Sequence, residues 1–255
     1  KVRATGWQVF AWSDEVGPHG VAKEVLNHHG LAGQTVACEY QTMRLMERAM
    51  LERALGNVTV VDADPLLAEM RMVKDADEAA KMQMAAKVVE AAVEAARQVL
   101  RPGVTEYEVS LAIQQTIRAH GGVGDCTVVS GLRGSSAHAS TSNKAIANGE
   151  TVIVDIWGTH QGYYGDITRT FAMGEISDEL KKIYQVVYDA QAHARASSKP
   201  GMNGEELDAL ARDYITEHGY GDYFIHRTGH GLGLDVHEEP YVVKGNHRPF
   251  IPGNA

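Results

Sequence analysis

Apolar positions recur along this chain in two rhythms, and the changes of rhythm mark its elements. Residues 1 to about 73 alternate short apolar stretches with helical ones. Val58-Thr59-Val60-Val61-Asp62 is β-branched and reads as a strand. Gln41 to Leu55 carries Met, Leu and Ala at helical spacing and stops before Gly56. His28-His29 read as exposed residues at a helix end rather than as ligands. The texture of this part is α/β, with no catalytic constellation in it.

From Asp75 the pattern becomes regular. Asp75 or Asp77 caps a long Ala-rich helix with acids in its first turn, and Arg101-Pro102-Gly103 stops it after Leu100. Thr105 and Glu108 have the spacing of a capping box for a second helix, which ends at His120-Gly121-Gly122. Strand patterns follow at Thr151–Trp157 and Gly165–Phe171, with a turn within Gly158 to Gly162. The helical pair then recurs about 98 residues on: Pro102, Gly103, Glu108, Ile117, His120 and Gly121 correspond to Pro200, Gly201, Glu206, Ile215, His218 and Gly219. An ordered series at one offset predicts an internal duplication. Two copies are too few for a solenoid, so the expected fold is a pseudo-twofold α+β domain. Two helical layers back a shared sheet in it, and a site falls between the halves.

Composition narrows the function classes. A length of 255 residues suits one large domain or two smaller ones, and 44% hydrophobic with 22% charged residues is ordinary for a globular protein. The net charge of -9 argues against sequence-independent binding to nucleic acid, which needs a basic face. It is compatible with a cation-binding carboxylate cluster without selecting one, since surface charge of this size is common. Cys38 and Cys126 make no disulfide framework or metal spacing and fit a reducing, cytoplasmic setting. No apolar run is long enough to span a membrane, and Lys1 to Phe10 is not a signal peptide. The chain begins without Met and ends at Ile251-Pro252-Gly253-Asn254-Ala255, so it reads as a piece of a longer protein.

Three segments carry candidate chemistry. A hairpin symmetric about His160-Gln161 would set Asp155 directly opposite Asp166. Like charges there repel, and two carboxylates among Val, Ile and Trp call for a cation or a shared proton. A slip of one residue would instead turn one Asp to solvent, and the turn is not of the Asn-Gly type that fixes register. The second segment, His226-Arg227-Thr228-Gly229-His230-Gly231-Leu232-Gly233-Leu234-Asp235-Val236-His237-Glu238-Glu239-Pro240, holds three His in twelve residues. Its glycines permit close backbone approach, and it is not the helical His-Glu-x-x-His zinc motif. The third, Ser130 to His138, is a small-residue loop ending in a His, whose mate one residue off the duplication offset is His237. Polar loop packing accounts for either His segment taken alone.

Taken together, the segments resemble the pita-bread (creatinase/prolidase) metallopeptidases. The match runs through Asp155, Gly162-Tyr163-Tyr164-Gly165-Asp166-Ile167-Thr168-Arg169-Thr170-Phe171, and Thr228-Gly229-His230 to His237-Glu238-Glu239-Pro240. It covers about Asp75 to the end, giving a catalytic domain at 75–255. Residues 1–74 resemble the latter part of the small amino-terminal domain of the creatinase, prolidase and aminopeptidase P branch. The resemblance implies that Asp155, Asp166 and His230 are metal ligands, Asp166 bridging two ions or chelating one beside Asp155. It implies that His138, His226 and His237 bind substrate or stabilise the tetrahedral intermediate. Two Glu ligands, one in a Glu-Pro-Gly segment, are expected to follow the Pro252-Gly253 turn; Glu238 and Glu239 do not match those motifs. Three ligands of five would leave this stretch alone slow or inactive.

The implied reaction is metal-dependent hydrolysis of Xaa-Pro bonds at the amino terminus of dipeptides or short peptides, by a homodimer. The expected oxygen-rich ligand set favours Mn²⁺ or Co²⁺ over a tetrahedral thiolate zinc site; two Mn²⁺ ions are the first expectation, with Co²⁺ or Zn²⁺ as alternatives. Two rivals share the fold, a metal-free creatinase-like hydrolase and a non-catalytic peptide-binding module. Retention of Asp155, Asp166 and His230 speaks against both.

Overall fold

A computed structural model describes residues 6, 8–31, 33–56 and 59–255. It divides into two compact units, Lys1–Glu69 and Met70–Ala255. The first holds α1 (Pro18–His28), β1 (Thr35–Cys38), α2 (Leu45–Leu55), β2 (Thr59–Asp62) and most of α3 (Asp64–Met72). β1 and β2 are parallel, with Thr35 opposite Thr59, and α2 lies in the crossover that a parallel pair requires. Val58, expected to open this strand, lies outside the described residues. α2 begins at Leu45, later than its apolar spacing predicts. Arg44 is its cap, accepting nothing through its side chain but exchanging contacts with Glu47. The N–H of Gln41 is already committed to Asp64 Oδ2 at 3.1 Å. His28 and His29 close α1 and are exposed.

The second unit runs α4 (Ala76–Val99), α5 (Glu106–Ala119), β3 (Gly124–Ser130), β4 (Thr151–His160), β5 (Tyr163–Ala172), α6 (Asp178–Ser197), α7 (Gly204–Glu217), β6 (Gly229–Gly231) and β7 (Glu238–Val242). Asp75 caps α4, its carboxylate accepting from the N–H of Glu78. The boxes at Thr105/Glu108 and Asn203/Glu206 start α5 and α7. Both copies match in fine detail. Gly103 and Gly201 each have φ 93°, in the left-handed region that favours glycine. The N–H of Gly103 donates to Ile146 O and that of Gly201 to Phe250 O, both at 2.8 Å. His120 and His218 close their helices, with ring Nδ1 donating to the carbonyls of Thr116 and Tyr214 at 2.9 and 2.8 Å.

β3, β4 and β5 form one antiparallel sheet in that order, while β6 and β7 pair separately. The sheet expected to be shared by both halves therefore exists in two pieces. The β6–β7 ladder shifts register between Gly229 and Gly231, which keeps it short, and the N–H of Tyr164 reaches across to Gly233 O at 2.8 Å. Along β4 the pleat divides two environments. Val152, Val154 and Ile156 face Val88, Val89, Ala92 and Ala96 of α4 and Val109, Ile113 and Ile117 of α5 in the main core. Each such side chain contributes about 1.5–3 kcal/mol on burial. Asp155 and Trp157 take the opposite face. A smaller core of Val186, Ala190 and Ile215 lies under α6 and α7.

α4 crosses β5 at Gly165, where an added Cβ would lie 2.7–2.8 Å from backbone atoms of Ala85 and Ala86. Backbone cannot rotate aside, so Gly165→Ala is expected to destabilise the second unit by about 1–3 kcal/mol. Denaturant unfolding measures this, and an unchanged midpoint would refute the close crossing.

Candidate metal centre

The hairpin that carries the two aspartates turns at Gln161-Gly162, with His160 opposite Tyr163. Both turn residues have positive φ, 50° and 88°, as a two-residue type I′ turn needs. The turn is thus one residue later than the symmetric spacing predicts, and the register moves by two. Asp155 faces Thr168 and Asp166 faces Trp157, so the aspartates are diagonal rather than directly opposed. A shift of two preserves the face, and both carboxylates stand on the side of the sheet away from α4 and α5. Thr168 Oγ1 donates to Asp155 Oδ1 at 2.5 Å.

Opposite Asp166 lies His230, its Nε2 3.6 Å from Asp166 Oδ2. The Nδ1–H of His230 donates to its neighbour's carbonyl, Gly231 O, at 2.9 Å, which leaves Nε2 free to bind a cation. His237 stacks edge-on against His230 with ring centroids 4.3 Å apart. His138, from the loop after β3, meets His226 at 6.1 Å. His226 also spends its Nδ1–H on a carbonyl, that of Arg227, at 2.9 Å. His237 links the two pairs: burial, then the nearby charges of His230, Arg227 and His226, hold its pKa below the usual value, with Asp155 opposing. Both effects favour the neutral imidazole over the protonated one.

The carboxylates carry unbalanced charge. Burial, and then the charge of Asp155, push Asp166 up to about 6, with His230 pulling the other way. No Lys or Arg among the described residues pairs with either aspartate. Two oxygen donors and one imidazole with a free Nε2 suit a divalent cation, and a cation would supply the charge that is missing. Among the described residues, no three His, Cys, Asp or Glu are drawn tightly enough to enclose an ion, so these donors line an open face. Glu238 does not join them. Its carboxylate is buried against Lys74 Nζ at 3.2 Å and accepts the N–H of Asp235 at 3.0 Å. Glu239 is exposed and turned back on the N–H of Tyr241.

Sequence reasoning missed the groups that hold these segments in place. Glu106 and Asp208 are buried, and each accepts hydrogen bonds from a segment leading to a histidine, through Ser130 and Thr228 respectively. Their signal is present in the pattern. Glu106 lies on the stripe of Val109, Ile113 and Ile117, and Asp208 on that of Ala211 and Ile215. An acid on the apolar face of an amphipathic helix must have internal partners.

The family profile described as metallopeptidase family M24 matches residues 80–255, and that of the creatinase/prolidase N-terminal domain matches residues 2–73. A probable dipeptidase, PepE, of Mycobacterium tuberculosis is 36% identical over 253 residues, covering 98% of this chain and 66% of that protein. The structure of a prolidase from Thermococcus sibiricus superposes with a TM-score of 0.92 at 33% identity, over 97% of this chain and 68% of its own. That of an X-Pro aminopeptidase from Thermotoga maritima gives 0.85 at 32% identity, over 99% and 73%. The chain thus spans about two thirds of the length of these proteins.

The raised pKa gives a test on metal-free protein. A carboxyl whose folded pKa exceeds its unfolded one favours folding at low pH, and this is lost as pH rises from about 3.8 to about 6. Asp155→Asn removes the neighbouring charge, so Asp166 is expected to titrate lower in the variant. Carboxyl-carbon NMR titration reads it, and an unmoved midpoint would show that Asp155 does not act on Asp166.

Proposed function

Because the chain belongs to metallopeptidase family M24, with a creatinase/prolidase N-terminal domain ahead of the catalytic one, we propose that it acts in metal-dependent hydrolysis of Xaa-Pro bonds. The substrates are dipeptides or short peptides with proline second. The observation that carries this reading is the pair Asp155 and Asp166 on one face of a rigid hairpin, uncompensated by any Lys or Arg among the described residues, with the free Nε2 of His230 3.6 Å from Asp166. These three side chains are the proposed ligands, and Mn²⁺ is the proposed ion. Two such ions, when bound, supply an acidified water and positive charge for the carbonyl oxygen of the scissile bond.

The other residues act on the substrate. His237, whose protonated form is disfavoured by partial burial and by Arg227, keeps a ring N–H that can donate a hydrogen bond to an oxygen gaining negative charge. His226 has its Nδ1–H tied to a carbonyl, so its Nε2 is an acceptor suited to a substrate N–H, such as the free amino end. His138, packed against His226, extends that wall. An Xaa-Pro bond has no N–H of its own, so recognition rests on the proline ring and the amino terminus.

The test is hydrolysis of an Xaa-Pro dipeptide with Mn²⁺ and after chelation. Chelation and Asp166→Asn should each abolish turnover. His237→Ala should lower kcat by about 10²–10³-fold while leaving Mn²⁺ uptake intact. Turnover that survives chelation or Asp166→Asn would contradict the proposal.

A further inference from the structure

Glu106 and Asp208 take no part in the chemistry above, yet they are among the most buried charges described, at 0% and 1% exposure. Each carboxylate has its hydrogen-bonding capacity filled. Glu106 Oε1 accepts the N–H and hydroxyl of Ser130 at 2.8 and 2.9 Å, and Oε2 accepts the N–H and hydroxyl of Ser142 at 3.0 and 2.7 Å. Asp208 Oδ1 accepts the N–H and hydroxyl of Thr228 at 3.0 and 2.6 Å and Arg212 Nη2 at 3.0 Å, while Oδ2 accepts Arg212 Nε at 2.5 Å. Burial pushes both carboxyls up, but the hydroxyl, N–H and arginine donors outweigh it and hold both below the usual range.

What these carboxylates fasten is specific. Ser130 and Ser142 are the two ends of the loop that carries His138, and Arg133, beside Glu106, donates to Ser140 O within it. On the other side Arg212 also holds Phe224 O and His226 O at 2.7 and 2.8 Å, so the stretch on both sides of His226 is pinned. Ser130 and Thr228 stand 98 residues apart, the offset of the duplication. The acids do not: Gly204 occupies the position equivalent to Glu106, and Ser110 that equivalent to Asp208. The two halves thus reach the same latch from different turns of α5 and α7. Apolar side chains of similar size would fill the space and avoid a buried charge, but they would orphan the N–H groups of Ser130 and Thr228.

We infer that Glu106 and Asp208 are matched positioning residues that hold His138 and His226 together across the pseudo-twofold axis. The geometric half of this stands alone; the consequence for turnover rests on the proposed function, in which both histidines face the substrate. The test uses Glu106→Gln and Asp208→Asn, which keep the shape and remove the charge, with Thr228→Ser as the variant that keeps the hydroxyl. Should either neutral variant fail to fold, Ser142→Ala and Thr228→Val each remove one donor without disturbing the carboxylate. Selectively labelled histidine NMR should show a cross-ring nuclear Overhauser contact between His138 and His226. That contact should weaken or vanish in the latch variants and persist in Thr228→Ser, with kcat/KM for an Xaa-Pro dipeptide down about 10²-fold where it is lost. Variants that melt earlier yet keep the ring contact would overturn the inference. Loss of the contact without loss of turnover would overturn the consequence for turnover and leave the geometric half standing. If the wild-type protein has no peptidase activity, the ring contact still decides the geometric half, and the failure falls on the proposed function alone.

Discussion

Two carboxylates held on one face of a hairpin repel one another, and the arrangement of the second unit follows from keeping them there. Asp155 has a hydroxyl to accept from, Thr168, while among the described residues Asp166 has a histidine at 3.6 Å, and its pKa rises to about 6. A flexible scaffold would relieve the strain by letting the side chains part. This one does not. The inward residues of β4 are locked into the core, Gly165 lets α4 press against β5, and Tyr163 ties the hairpin tip to Glu78 of α4 at 2.9 Å. A divalent cation at these carboxylates would offset their repulsion.

The histidines come to the carboxylates by a different route. The backbone bond from Tyr164 to Gly233 places the glycine-rich stretch beside β5, and the buried pair Lys74–Glu238, with side chains 3% and 6% exposed, closes the loop on which His237 stands. Desolvating both charges is costly and is offset only where the remaining donors and acceptors are satisfied. Glu238 meets that condition through the N–H of Asp235. That commitment turns the glutamate adjacent to His237 toward Lys74 rather than toward the proposed ligands.

Much of this was readable from the chain, and the limits have physical causes. Caps are local chemistry, so the Asp75/Asp77 pair and the box of Thr105 with Glu108 placed the starts of α4 and α5, and the structure selects Asp75. The face shared by Asp155 and Asp166 was readable because side chains alternate with period two. The register was not, because it hangs on whether Gln161 accepts a φ of 50°, and a glutamine gives little sign of that. Ser142 is 36 residues from Glu106, and Lys74 is 164 from Glu238; no local pattern announces either pairing. The irregular β6–β7 ladder, whose register shifts at Gly229/Gly231, was not legible either, since glycines signal close approach without saying what approaches.

On the proposed reading, Asp155, Asp166 and His230 together bind divalent metal. Electron paramagnetic resonance of Mn²⁺ added to metal-free protein tests it directly, since the six-line signal of the aqueous ion fades as the ion is taken up. Uptake by the wild-type protein near neutral pH is expected, with the free-ion signal restored by Asp166→Asn or His230→Ala. Equal uptake by the wild-type protein and both variants would contradict it.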